Sequence, residues 1–256
     1  MTAGSFAIIA AFCVVAGGFL GLFLRHYLPE KFTTGGPRDM IGAVVGLLTL
    51  LVALVLGLLI WTAYGVYASQ NAAIQSLAAK DLQLDLALAD YGPEARDARL
   101  QLRDGLRKTI DEIWRTDSSN DAFAAKNLSA AIRSLHARQA ELDKLHPETE
   151  QQRRALAVAT ATVDALAQAR LQMSFALSGP VSIPLMSVVL GWAVLIFCGF
   201  GLMSQGNPMS IAVAIIGALA VASAFHMIID LSSPYSGTFR VSPAPIEEVI
   251  SMPLEG

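Results

Sequence analysis

The sequence predicts an all-α integral membrane protein: four transmembrane helices, with a helical soluble domain inserted between spans 2 and 3. Three observations carry that expectation. Of 256 residues, 54% are hydrophobic and only 15% charged, against roughly 25% charged in soluble domains. The charges gather between Lys80 and Arg170, which leaves both ends of the chain nearly bare of them. Four uncharged runs, finally, each reach the ~20 apolar residues that cross a bilayer. The mean hydropathy of +0.52 thus averages a polar middle and two apolar ends. Twenty Gly, 11 Pro and 2 Cys exclude collagen-like, disordered and disulfide-scaffold classes. A net charge of -3 offers no basic footprint for nucleic acid.

Span 1 covers about 6–24, from Phe6 to Leu24 without a charge. It lacks a basic n-region and an A-x-A cleavage site, so it reads as a retained anchor. The next uncharged run extends from Met40 to Ala79, with span 2 at about 41–68. At 1.5 Å per residue those residues make a helix of roughly 42 Å, longer than the ~30 Å hydrocarbon core. Tyr64, Tyr67, Ser69, Gln70 and Asn71 then mark a helix that leaves the membrane and continues as a stalk. No proline interrupts it before Tyr91-Gly92-Pro93, the natural stop.

The middle section is helical by period. Leu77, Leu84, Leu88 and Tyr91 form one apolar stripe, interrupted by Asp81. Leu102, Leu106, Ile110 and Ile113 form a second; Leu128, Ile132, Leu135, Leu142 and Leu145 a third; Leu156, Val163, Leu166 and Met173 a fourth. Turn chemistry separates them at Gly92-Pro93, Asp117–Asp121 and His146-Pro147, and Ser178-Gly179-Pro180 ends the last. Spans 3 and 4 lie at about 183–204 and 209–230, joined by the hairpin Gln205-Gly206-Asn207-Pro208. The expected division is therefore 1–79 for the first membrane pair, 80–178 for the helical domain continuous with span 2, 179–231 for the second pair and 232–256 for a polar tail.

Four spans put both termini and the helical domain on one side, with the loop Arg25–Asp39 alone on the other. The positive-inside rule counts basic residues near the membrane. Arg25, Lys31 and Arg38 on the loop side balance Lys80, Arg170 and Arg240 on the domain side. Charge alone does not decide the orientation.

Several motifs carry a family resemblance. The tail reads Asp230-Leu231-Ser232-Ser233-Pro234-Tyr235-Ser236-Gly237, then Thr238-Phe239-Arg240-Val241-Ser242-Pro243-Ala244-Pro245. It resembles the signature of the bacterial bestrophin-like membrane proteins of unknown function: an acidic residue, Leu, Asp, then x-Pro-Phe-x-Gly-x-x-Arg-[IV]-Ser. Ala53–Leu58 resembles a stretch of that family's second span. Tyr91–Ala95 with Trp114, and Gly179–Pro184 before span 3, resemble further parts of it. The departure is Ser232, which stands where the family has its second acidic residue. The family's namesakes, the bestrophins, are pentameric anion channels with two spans, a helical domain, two spans and a tail. Their helical domain and termini are cytosolic, and their second span lines the pore. By fold-level analogy the resemblance implies a bacterial inner-membrane, multi-pass homo-oligomer, a pentamer by leading expectation, with the domain and termini cytosolic. It implies an ion channel, anion-conducting if the analogy holds. The alternative is a non-conducting membrane scaffold or sensor whose helical domain binds a partner or ligand.

Span 2 holds the first candidates. Gly42, Gly46, Thr49, Ala53 and Gly57 share a stripe of small residues of the kind that lets helices approach closely. Leu47, Leu50, Leu51, Leu54 and Leu58 occupy other faces. They read as ordinary packing and lipid contact, or, around an oligomer axis, as a leucine ring that gates by dewetting. Leu50, Leu54 and Leu58 would be that gate, with Thr62 and Tyr64 as polar lining at its mouth. His226 and Asp230 sit at i, i+4 near the end of span 4, as an interface anchor or a station for ions or protons. Arg96, Arg99, Arg103 and Arg107 make a basic stripe on the first soluble helix, a solvated face with i, i+4 partners or an anion funnel.

Asp81 and Asp85 form a carboxylate pair, but no EF-hand loop accompanies them and calcium needs six or more oxygens. A buried Asp81 would instead require an arginine from a neighbouring helix. Cys13 and Cys198 match no metal or redox spacing, nor do His26, His136, His146 and His226. With no P-loop, G-x-S-x-G or dinucleotide fingerprint, the chain is expected to be no enzyme, to hold no metal and to need no cofactor. Its expected partners are the lipid bilayer and copies of itself, not nucleic acid.

Overall fold

Eight α-helices and one 3-10 turn (Pro93–Ala95) make up the regular structure of the described residues: α1 (Ala3–Tyr27), α2 (Gly36–Tyr91), α3 (Arg96–Trp114), α4 (Asn120–Leu142), α5 (Glu150–Ala176), α6 (Ile183–Met203), α7 (Pro208–Leu231) and α8 (Ala244–Ser251). The computed structural model describes residues 3–29, 35–114, 120–176, 183–204 and 208–253. Lys31, the turn residues at 117–119, the stretch 178–182 and the hairpin residues 205–207 lie outside them. Four helices are long and apolar enough to cross a membrane: Gly4–Tyr27, Gly36–Tyr91, Pro184–Met203 and Pro208–Leu231. The protein is an all-α membrane protein. It divides into two units, Met1–Gly65 with Val181–Ser232, and Val66–Pro180 with Ser233–Gly256.

In the membrane unit α1 packs along α6 and α7. Glycines permit it. A Cβ on Gly21 would overlap the Cys198 carbonyl, and one on Gly201 would overlap the Gly18 carbonyl. A Cβ on Gly17 would come within 2.8 Å of the Val194 carbonyl oxygen. Gly17-x-x-x-Gly21 is thus the small-residue ridge of this unit, the geometry that lets apolar helices gain van der Waals contact in lipid. Phe6 on α1 meets Phe225 on α7 with ring centroids 5.8 Å apart. On α2 a narrow stripe turns inward, Val45, Val52, Leu59 and Ala63. A Cβ on Gly199 of α6 would collide with the Val45 side chain.

In the helical unit α2 runs unbroken to Tyr91. It stops because Gly92 takes φ 117, a conformation that favours glycine, and Pro93 follows with no N–H to donate. Three of the four apolar stripes point inward as their period requires: Leu77, Leu84, Leu88 and Tyr91 on α2, Leu102, Leu106 and Ile113 on α3, and Val163, Leu166 and Met173 on α5 join one core. Of the third stripe Leu142 joins the same core and Leu135 and Leu145 pack against it, whereas Ile132 is exposed and Ala131 beside it is buried. The tail closes the unit, with Tyr235, Val241, Ile246 and Val249 in the same core.

Candidate functional site

The feature that stands out on α2 is what it leaves uncovered. Leu50, Leu54 and Leu58 are 71%, 72% and 62% exposed. Met40, Val44, Leu47 and Trp61 extend this face at steps of three and four residues, and all are exposed. Of the α2 membrane window 17% is buried within the chain, against 39% for α6. One chain therefore packs α6 at its centre and leaves α2 at its margin. Thr62 and Tyr64 are exposed at the far end of the same stretch. The Thr62 hydroxyl donates to the Leu59 carbonyl at 2.9 Å, and Thr49 does the same to Val45 at 2.8 Å. Both polar groups are thereby satisfied in an apolar setting.

The small residues of α2 divide. Gly42 faces Met203, whose Cε would lie 3.3 Å from an added Cβ. Gly46 and Gly57 have nothing within 4 Å, and Ala53 is exposed with them. At the end of α7, Asp230 is fully buried and His226 half-buried. Ser232, where the family signature has an acid, is buried and its hydroxyl donates to the Ile228 carbonyl at 2.6 Å. A serine there closes the helix end without burying a second charge.

The basic stripe of α3 also divides. Arg99 forms a two-pronged ion pair with Asp85, Nε to Oδ1 and Nη2 to Oδ2 at 3.0 Å each. Arg103 reaches the same carboxylate at 3.4 Å and gives Nη1 to the Met252 carbonyl at 2.6 Å. Both arginines and Asp85 are buried. Burial raises the Asp85 carboxyl, but the two guanidiniums outweigh it and hold it below its ordinary value. Arg107 and Arg96 are exposed, Arg107 paired with Asp104 at 3.0 Å.

One turn back along α2, Asp81 is buried and lies 3.0 Å from Arg138 of α4. That is the neighbouring-helix arginine a buried acid needs. Arg170 of α5 is buried close by, held by the hydroxyls of Ser134 at 3.0 Å and Thr109 at 3.1 Å. Burial pushes the Asp81 carboxyl up, against the pull of Arg138 and Arg170, and draws Arg170 down to about 10. Among the described residues no group of three or more His, Cys, Asp or Glu could hold a metal ion. Cys13 and Cys198 are free and half-buried.

Three features escape a reading of the sequence. The Gly17-x-x-x-Gly21 ridge was signalled by the same small-residue spacing that singles out Gly42 and Gly46. The inward turn of Arg99 and Arg103 has no local signal, since their carboxylate lies on another helix. Gln70, 1% exposed, stands in the sequence as one of several polar residues after span 2, with nothing to mark it as a junction.

Solved structures supply the comparison of fold. Three single-substitution variants of a bacterial bestrophin homolog from Klebsiella pneumoniae superpose with TM-scores of 0.65, 0.64 and 0.63. Their identities to this chain are 15%, 15% and 13%, over 95%, 95% and 98% of it and 96% of each of theirs. No curated protein matches the sequence. The model of the bestrophin-like domain matches residues 11–246. The chain belongs to the bestrophin-like family.

Proposed function

We propose that this protein is an oligomeric ion channel of the bacterial inner membrane, a pentamer, in which span 2 of each copy lines the pore. The observation that carries the reading is the uncharged, uncovered leucine face of α2, with Leu50, Leu54 and Leu58 at its centre. Placed around an axis, that face forms an apolar constriction that holds water out until it widens. Thr62 and Tyr64 supply polar lining beyond it. Gly46, Ala53 and Gly57, exposed within one chain, let a neighbouring helix approach closely. Membership of a family named for anion channels supports anion conduction, with the helical domain and termini cytosolic. Arg96 and Arg107 are the exposed members of the basic stripe and the ones available to concentrate anions.

Purified protein in planar bilayers tests the reading. Single-channel currents are expected, and Leu54→Ala is expected to raise open probability by relieving the constriction. Flat recordings at both polarities, across pH and calcium, overturn the channel. They favour a membrane scaffold or sensor whose helical domain binds a partner.

A further inference from the structure

The stretch 233–253, which follows α7, is fastened to the helical unit at spaced points. The Tyr235 hydroxyl donates to Gln70 Oε1 at 2.8 Å, and Gln70 Nε2 donates to the Met173 carbonyl at 3.3 Å. One glutamine on α2 therefore gives its acceptor to the tail and a donor to α5. The Trp114 indole N–H donates to the Val241 carbonyl at 2.6 Å, and its ring meets Tyr235 edge-on at 6.0 Å. The Val241 N–H turns back to the Pro234 carbonyl at 2.9 Å. Arg103 holds the Met252 carbonyl at the far end, and α8 buries Ile246 and Val249.

Gln70 differs from the other fastenings in where it stands. It lies on the unbroken helix that carries Leu50, Leu54 and Leu58, about 9 Å past Tyr64 at 1.5 Å per residue. Its carboxamide is sealed from water, so each polar atom must find a protein partner or be left at a cost. When the tail lifts, Oε1 loses its donor, and α2 regains one only by turning or by admitting water. Tail engagement and the setting of α2 thus bias each other, as any two linked equilibria must.

We propose that the tail is a strap latched to the α2 stalk by the hydrogen bond from Tyr235 to Gln70, and that this latch, apart from the strap's other fastenings, ties tail engagement to the setting of span 2. Its effect on conduction rests on the channel reading above; its effect on the stalk does not.

Two conservative variants of the full-length protein separate the latch from the rest of the strap. Tyr235→Phe removes the hydroxyl and keeps the ring. Trp114→Phe removes the bond to Val241 and keeps the Tyr235 hydroxyl that reaches Gln70. Hydrogen–deuterium exchange read by mass spectrometry is expected to rise on the order of tenfold in Tyr235→Phe, in the tail and in the α2 segment 66–76 alike. Trp114→Phe is expected to loosen the tail while raising exchange in 66–76 by less than Tyr235→Phe does. Wild-type exchange in 66–76 for Tyr235→Phe overturns the latch, as does equal loosening of that segment by Trp114→Phe. In vesicles of a conducting wild type, ion flux is expected to shift in Tyr235→Phe and not in Trp114→Phe, and unchanged flux in the former overturns the tie to span 2. A wild type that carries no flux sinks the channel reading, and the exchange result alone then upholds or overturns the latch.

Discussion

Asp85 is the residue on which the helical unit's charge balance turns. It answers two buried guanidiniums, with less than a tenth of each side chain exposed. Asp85→Asn leaves Arg99 and Arg103 buried without a counter-charge, a loss of about 3–5 kcal/mol by the usual cost of breaking a buried pair. The same pair sets an acid limit. The Asp85 carboxyl sits below its ordinary value in the folded protein, whereas an unfolded Asp titrates near ~3.9. Its contribution is therefore complete above that unfolded value and is lost as pH falls through the folded one. Asp81, raised by burial, works with the opposite sign and above the unfolded value: its protonation relieves the folded state as pH falls through the raised value, before the loss at Asp85 begins. Unfolding followed by circular dichroism in detergent from pH 7 to pH 3 is expected to show a wild-type stability that falls once pH drops below ~3.9. Asp85→Asn should start lower and fall less. Equal stability of the two proteins at pH 7 would mean that water, not Asp85, satisfies the arginines. The spacing of Arg96, Arg99, Arg103 and Arg107 was plain in the sequence. Which of them turns inward was not, because the partner lies 14 and 18 residues away on α2 and pairing across helices leaves no trace in local period.

At the scale of elements, helix packing in lipid is decided by where side chains are missing. Gly21→Leu is expected to abolish folded protein, since even its Cβ overlaps the backbone at Cys198 and overpacking costs about 1–3 kcal/mol or more. A Cβ at Gly46 or Gly57 meets nothing within 4 Å, so Gly46→Leu and Gly57→Leu should both fold. Fluorescence-detected size-exclusion chromatography reads both outcomes. A monodisperse Gly21→Leu protein of wild-type size would refute the ridge, and a Gly46→Leu peak shifted to smaller species would place a second copy against α2. The α2 helix itself was legible because its apolar run outlasts the bilayer and no proline interrupts it before Pro93. The partners of its faces were not. A small-residue stripe has the same pattern whether a helix of the same chain, a second copy or lipid lies against it, and on α1 and α6 the structure answers with the same chain.

For the whole molecule, the four spans and their order followed from hydropathy, since backbone in lipid must satisfy itself within helices. The proposed ion path was not legible in it, because that path lies between copies of the chain. Among the described residues a chain leaves several apolar surfaces open: the Leu50–Leu54–Leu58 face of α2, the Phe12, Phe19 and Phe23 face of α1, and the Met209, Val213, Ile216 and Leu219 face of α7. Lipid covers any of them at no cost, so exposure alone does not say which face meets an axis. Bulk favours α2 in the proposed oligomer: rings of phenylalanine demand more room than rings of leucine, and Gly46, Ala53 and Gly57 lie uncovered on α2, where helices of several copies can converge. Single cysteines distinguish the α2 surface from the α1 surface once Cys13 and Cys198, both free, are replaced by serine and alanine. Leu54→Cys on that background, treated in membranes with a bismaleimide of about 10 Å reach, is expected to give a cross-linked dimer on denaturing gels, since each chain offers one thiol. Phe12→Cys, 75% exposed, is expected to stay monomeric because its face meets lipid. A dimer from Phe12→Cys with none from Leu54→Cys would move the axis to α1 and take the leucine gate with it.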